Sequence, residues 1–410
     1  MASLNTSEIT ATTAGESSVL QTNGEFQTLK ALLVSSAHLI HDTYSGFIAP
    51  LIPTLIERFS LLKVEASLFL FLYQGVSILQ PVIGHWADRV NLRKVALIGP
   101  AITGIFLSLL GTAPSYPVAL LYCLLAGFSS ASMHAILPAL VGTYSGRSVG
   151  KGMSFWMVGG ELGVMVGPMI MTAMVATRSL HISAWFMAGG IAISLILNYL
   201  MRNEPYVIVN NKPSHSIPAK ELRIVMLPLG CIVLLRALMR TAAEIYLPVF
   251  LLENGAGVWF AGISISILQG FGVLGVVLGG FANDHFGYKP VLSGSLVFSG
   301  LGMLAFVFTA GAARIASLAV LGTASMMMLP IGMAIAQENF PENRSLANGI
   351  YLAMVFAINA LVGVLTGFLY DQIGGQWTYT IGGLVVLLAL PFVFLLPKRA
   401  KPYTITHKES

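Results

Sequence analysis

The 410-residue chain is 56% hydrophobic and only 10% charged. A water-soluble domain carries about 25% charged residues, so this chain has too little polar surface to face water, and a soluble architecture is excluded. The net charge of +5 is no nucleic-acid signature, because helical membrane proteins gather Lys and Arg in their cytoplasmic loops.

Residues 1–27 are Ser/Thr-rich and acidic, with no apolar run of the kind a signal peptide needs. They read as a disordered cytoplasmic tail. A membrane span takes roughly 20 apolar residues. Spans are expected over 30–55, 66–86, 95–113, 117–143, 154–176 and 182–201, then 224–252, 257–281, 290–309, 315–336, 346–369 and 377–397. That gives an N-terminal six-helix bundle (28–201), a polar, basic, Pro-containing cytoplasmic linker (202–223), a C-terminal six-helix bundle (224–397) and a cytoplasmic tail (398–410). With both termini inside, sixteen of the 22 Lys and Arg fall on the cytoplasmic side and four outside, as the positive-inside rule requires. The other two, Arg236 and Arg240, fit in no loop. The two cysteines, Cys123 and Cys231, lie in apolar segments and offer neither a disulfide framework nor metal-ligand spacing.

The chain repeats itself. Gly84-His85-Trp86-Ala87-Asp88-Arg89 closes span 2, and Gly280-Phe281-Ala282-Asn283-Asp284-His285 closes span 8, 196 residues later. In both copies Gly and Asp are four apart, and basic residues follow: Arg93 and Lys94 in the first, Lys289 in the second. Such a repeat means two homologous halves. Asp88 can accept hydrogen bonds from a neighbouring helix N-terminus and pair with Arg89 or Arg93.

Two six-span halves carrying this motif resemble the major facilitator superfamily. The resemblance implies an all-α membrane protein, with twelve transmembrane helices in two pseudo-symmetric six-helix bundles that work by alternating access. It also implies a cytoplasmic latch built from Gly84, Asp88, Arg89, Arg93 and Asp284. The second copy has no Arg after its Asp and is expected to be the weaker. Ser35-Ser36-Ala37-His38-Leu39-Ile40-His41-Asp42, Tyr73-Gln74, Ser129-Ser130 with His134, Val158-Gly159-Gly160 and Ala336-Gln337-Glu338 are similar to the fosmidomycin-resistance branch, whose characterised members export an antibiotic. In span 5, Gly163-Val164-Met165-Val166-Gly167-Pro168 resembles the G-x-x-x-G-P motif of proton-coupled antiporters. Small residues four apart serve close helix packing equally well.

A charge at mid-bilayer costs roughly 2.5–3.5 kcal/mol on insertion scales, so each one needs a reason. Span 1 holds His38, His41 and Asp42. His38 and Asp42, four apart, share a face, whereas His41 is turned about 100° from Asp42. Span 4 holds His134, span 5 Glu161, and span 7 the stripe Arg236, Arg240 and Glu244. In the superfamily resembled, spans 1, 4, 7 and 10 line the cavity. The resemblance therefore implies Asp42 and Glu161 as protonation sites, with His38 and His134 relaying or orienting. Arg236 and Arg240 become forked donors for an anionic substrate, joined by Glu244, Gln74 and Tyr246. The plainer alternative is that His38–Asp42 and Arg240–Glu244 are structural ion pairs.

The function expected is proton-coupled export of a small anionic or amphiphilic compound, by a monomer spanning the plasma membrane (the bacterial inner membrane) many times. Its partners would be substrate, protons and the lipid bilayer, not nucleic acid. Import of an organic anion by proton symport is the alternative. A receptor or sensor would need a signalling domain, and Arg202–Arg223 is too short for one. No nucleophile–base pair, phosphate-binding glycine loop or metal cluster is recognisable, so neither an enzyme nor a cofactor is expected.

Overall fold

The structure is a computed structural model, and it describes residues 26–87, 90–145, 149–202, 217–340 and 344–397. Among the described residues every regular element is helical. Ten stretches of the described residues are long and apolar enough to cross a membrane. Span 1 is missed by that test because it is two helices, Thr28–Ser45 and Ile48–Phe59, and because the first of them carries the His38–Asp42 cluster. Spans 11 and 12 share one 50-residue stretch, Leu346–Leu395. They part at Gly374 (φ 76°, ψ 165°), a conformation open to glycine alone. Among the described residues the segments therefore number twelve.

The others are span 2, Lys63–Ala87; span 3, Arg93–Thr112; span 4, Tyr116–Tyr144; span 5, Val149–Ala176; and span 6, Leu180–Leu200. Span 7 is Ala219–Ile245 with a short continuation, Leu247–Glu253; span 8 is Val258–Phe286, span 9 Tyr288–Phe308 and span 10 Gly311–Asn339. Several helices outrun the expected apolar windows. Span 7 starts five residues early, just after Pro218, and its first turn, with Lys220 and Glu221, is too polar to register as membrane.

Packing repeats with a six-helix offset. Span 1 packs on 5, 2 on 4, 3 on 4 and 6; correspondingly 7 packs on 11, 8 on 10, and 9 on 10 and 12. Two further pairings, 2 with 11 and 5 with 8, join the halves and exchange under the same offset. The apolar side chains left outside, among them Leu195, Leu227, Phe281, Phe308, Leu361 and Phe394, form the surface that meets lipid, where backbone polar groups must be satisfied inside each helix.

Candidate functional site

The site begins with how closely spans 1 and 5 approach. Gly159, Gly163 and Gly167 lie four apart, against the carbonyls of Ser35, Leu39 and Thr43, also four apart. A Cβ at any of the three would run into main chain. Gly46, at the break of span 1, rests on Pro168 in the same way. The glycine run thus acts as a packing seam. Gly160 gives room to the His38 imidazole and Asp42 carboxylate, both of which a Cβ there would overlap.

On this seam four titratable side chains meet. His38 Nε2 is 3.1 Å from Asp42 Oδ2 and 3.2 Å from His134 Nε2. Its Nδ1 is 2.8 Å from the Trp156 carbonyl, and its ring stacks on the Trp156 indole at 3.8 Å. His134 reaches in from span 4, with Nε2 4.0 Å from Asp42 Oδ1 and Nδ1 2.9 Å from the Ser130 carbonyl. Tyr73 OH reaches Ser130 Oγ at 3.4 Å. His41, set aside on helical-wheel grounds, belongs here too: its Nδ1 is 2.7 Å from Asp42 Oδ1. The wheel tracks Cα directions, and an imidazole is long enough to bend round to the next residue. Although the sequence displays no metal-ligand spacing, His38, Asp42 and His134 bring one donor atom each within 4.8 Å of the others.

The second cluster is the span 7 stripe. Arg240 forms an ion pair with Glu244, one turn on, and its Nη1 lies 3.0 Å from Met326 Sδ. Arg236 is buried, and its Nη2 donates to the Ser325 carbonyl at 2.5 Å. That carbonyl stands where span 10 breaks into Gly311–Met326 and Met328–Asn339, three residues before Met328 and five before Pro330. Arg236 therefore ties span 7 to the break. Its Nε finds no hydrogen-bond partner, and no carboxylate pairs with it among the described residues. Glu161, half-buried in span 5, makes no hydrogen bond or ion pair among the described residues, and Arg240 of the other half lies within electrostatic reach of it.

The remaining expected residues lie apart. Gln74 is half-buried. Tyr246 is fully buried, its hydroxyl donating to the Lys63 carbonyl at 2.6 Å and its ring beside Tyr370, so it joins the halves at the end opposite the repeated motif instead of lining the Arg240 cluster. Gly84 sits in the last turns of span 2, and Arg93 is buried at the start of span 3. Asp88, Arg89 and the Asp284 side chain fall outside the described residues. Sequence reasoning did not single out Trp156 or Gly160 for a role; the Gly159-Gly160 pair facing a His-x-x-x-Asp helix was the available signal.

Tyr246 belongs to a junction that holds the halves together. The Asp371 carboxylate, at the end of span 11, accepts from Lys63 N at 2.9 Å and Val64 N at 2.8 Å, capping the span 2 N-terminus. Lys63 Nζ is 3.3 Å from Glu253 Oε1, and Tyr370 OH donates to Glu253 Oε2 at 2.6 Å. A carboxylate at a helix N-terminus contributes about 0.3–1 kcal/mol when exposed and up to about 2 when partly buried. Asp371→Asn is expected to shift the balance toward opening at this end by roughly 2–30-fold. Impermeant maleimide should then label a cysteine placed at Gln74 faster from that side; an unchanged rate would mean the junction is not what keeps this end shut.

The Major Facilitator Superfamily family model matches residues 34–281 and 229–410. The fosmidomycin resistance protein of Escherichia coli (strain K12) is 24% identical over 380 residues, covering 90% of this chain and 93% of that protein. Among solved structures, a D-xylose–proton symporter superposes with a TM-score of 0.73 at 18% identity, covering 90% of this chain and 98% of the other. A bacterial homologue of the human lysosomal transporter Spinster, in its inward-facing and occupied conformation, gives 0.73 at 17%, with 90% and 95% covered. These relatives are transporters and not enzymes. With its twelve helices in two offset-related bundles, this multi-pass membrane chain belongs to the Major Facilitator Superfamily.

Proposed function

We propose that the chain is a proton-coupled secondary transporter of the bacterial inner membrane, with both termini in the cytoplasm, that exports a small organic anion or amphiphile. The observation that carries the anionic substrate is Arg236, a buried guanidinium with no carboxylate paired to it among the described residues. Buried charges are ordinarily paired, and the stripe Arg236, Arg240 and Glu244 leaves one positive charge over. A carboxylate, phosphate or phosphonate would complete it with forked hydrogen bonds. Export rests on the relative whose name records drug resistance. Glu161 is the first place for the coupled proton. Asp42, with His38 and His134 around it, is the second.

Arg240→Ala should raise KM for an anionic substrate on the order of tenfold or more, the value of one charge-assisted contact, and leave a neutral analogue nearly unaffected. Arg236→Lys keeps the charge but loses the fork, and should fall between. Transport assays in proteoliposomes across a panel of anionic and neutral compounds test this. Equal loss for both classes would reduce the stripe to a packing element.

One observation favours import with a proton as a second reading. Arg240 and Glu161 belong to opposite halves and lie within electrostatic reach of each other. Protonating Glu161 removes a negative charge beside the arginines and strengthens anion binding; linkage is reciprocal, so proton and anion favour each other. Export by exchange requires instead that they exclude each other, as when the substrate's own polar groups engage the Glu161 carboxylate. A pH dye inside the vesicles separates the two, because protons run against the substrate in exchange and with it in symport.

A further inference from the structure

We propose that His38, Asp42 and His134 form a binding site for one divalent first-row transition-metal ion of the zinc type. The inference stands apart from the transport reading, since it concerns binding without substrate or gradient. The argument starts from hydrogen positions. His38 Nδ1 and His134 Nδ1 each face a backbone carbonyl, of Trp156 at 2.8 Å and Ser130 at 2.9 Å. A carbonyl only accepts, so both Nδ1 atoms carry hydrogen. In the neutral rings both Nε2 atoms are then bare lone pairs. They face each other at 3.2 Å, with a carboxylate oxygen 3.1 Å from one of them. Three acceptors turned inward on one point need a cation there. A proton on His38 Nε2 has to be divided between Asp42 Oδ2 and His134 Nε2 in a weaker three-centre hydrogen bond, whereas a metal ion bonds to all three directly.

The spacing fits a metal. Tetrahedral zinc with bonds near 2.0–2.1 Å sets its ligand atoms about 3.3 Å apart. Here His38 Nε2 is 3.1 Å from Asp42 Oδ2 and 3.2 Å from His134 Nε2, and His134 Nε2 is 4.0 Å from the other carboxylate oxygen, Oδ1. Taken one per residue, the donor atoms lie within 4.8 Å of one another, and a small turn of the Asp42 carboxylate would close the set around an ion. The outer shell is in place as well. Metal-bound histidines usually donate their other N–H to a carbonyl or carboxylate, and ligating carboxylates are themselves hydrogen-bonded. Here both histidines donate to carbonyls, and His41 Nδ1 holds Asp42 Oδ1 at 2.7 Å. Stacking on Trp156 fixes the His38 ring plane. The His134 side chain remains one-quarter exposed (25%), which leaves a path of entry and a fourth position for water. Two imidazoles and one carboxylate select zinc, cobalt or nickel over Mg2+ and Ca2+, which prefer all-oxygen sites.

The test is Co2+ titration of the full chain, purified in detergent without a histidine tag. One equivalent should develop the intense visible bands of four-coordinate Co2+. Zn2+ should displace it, and Mg2+ should not. His134→Ala and Asp42→Asn should each weaken binding by more than the roughly 10–100-fold that loss of an outer-shell partner costs, while His181→Ala, at an exposed position, should leave it unchanged. X-ray absorption of the Zn2+-loaded wild type gives a readout that needs no variant to fold: two imidazoles and an oxygen shell near 2.0–2.1 Å. No four-coordinate spectrum in the wild type, a spectrum that survives both ligand substitutions, or a shell without imidazole would each overturn the proposal.

Discussion

Glu161→Gln is expected to abolish accumulation against a gradient while sparing exchange of substrate across the membrane. A charge within a span is costly and needs a reason, and Glu161 has no hydrogen bond or ion pair among the described residues to supply a structural one. Among the charged groups within electrostatic reach of it, Arg240 of the other half acts most strongly, with Asp42, His38 and Glu244 also in reach. Losing the carboxylate's negative charge frees Arg240 from one competitor to Glu244; regaining it restores the competition. Such a group biases the balance between two global states only if its charge changes during the cycle. Glutamine locks in the neutral form and preserves shape, so substrate should still bind and exchange within about twofold of wild type, whereas uphill transport falls to background. Counterflow and proton-driven uptake, measured on the same vesicles, check both halves of the claim. If Glu161→Gln still drives uphill transport, the coupled proton is carried elsewhere, and Asp42→Asn becomes the deciding variant.

The second large effect is on folding. Gly163→Val should remove most properly folded protein, because its side chain would enter the Leu39 carbonyl and the Thr43 amide across the span 1–span 5 seam. Overpacking of this kind costs typically 1–3 kcal/mol and more where main chain cannot yield, and stability margins are only about 5–15 kcal/mol. Gly294→Ala is the contrast: open space surrounds its Cβ position in span 9, so it should be neutral or gain up to about 1 kcal/mol from helix propensity. Thermal unfolding and size-exclusion profiles of the two variants make the comparison. Loss of transport by Gly163→Val in a normally folded protein would return the glycine run to a direct role in coupling.

Much of the architecture was legible because the bilayer imposes it. Apolar runs gave twelve segments, and Gly84 and Gly280, in register, gave the two halves. Ends were less legible, since the polar first turns at Lys63 and Ala219 are helical yet unlike membrane sequence. The site was readable where a single helix supplies both partners: four-residue spacing pointed to His38 with Asp42 and to Arg240 with Glu244, and both pairs form. It was unreadable where partners come from different helices. Nothing local says that His134 approaches His38 across 96 residues, that the Trp156 carbonyl fixes a tautomer, or that Asp371 caps a helix begun 308 residues earlier. Tyr246 shows the limit from the other side. Its chemistry suited a binding role, and only packing reveals that its hydroxyl is engaged by Lys63.

The stack of His38 on Trp156 also gives the molecule a built-in optical gauge. Of the five tryptophans, Trp156 is buried, whereas Trp86, Trp185, Trp259 and Trp377 are exposed on the outer surface. An imidazolium held face-on against an indole takes up its excited-state electron, while a neutral ring does so far less. The emission that quenchers in the surrounding detergent or lipid cannot reach should therefore brighten or dim with whatever cation occupies the histidine cluster. The state of the buried site could then be followed in real time, in unlabelled protein, through a single residue's fluorescence.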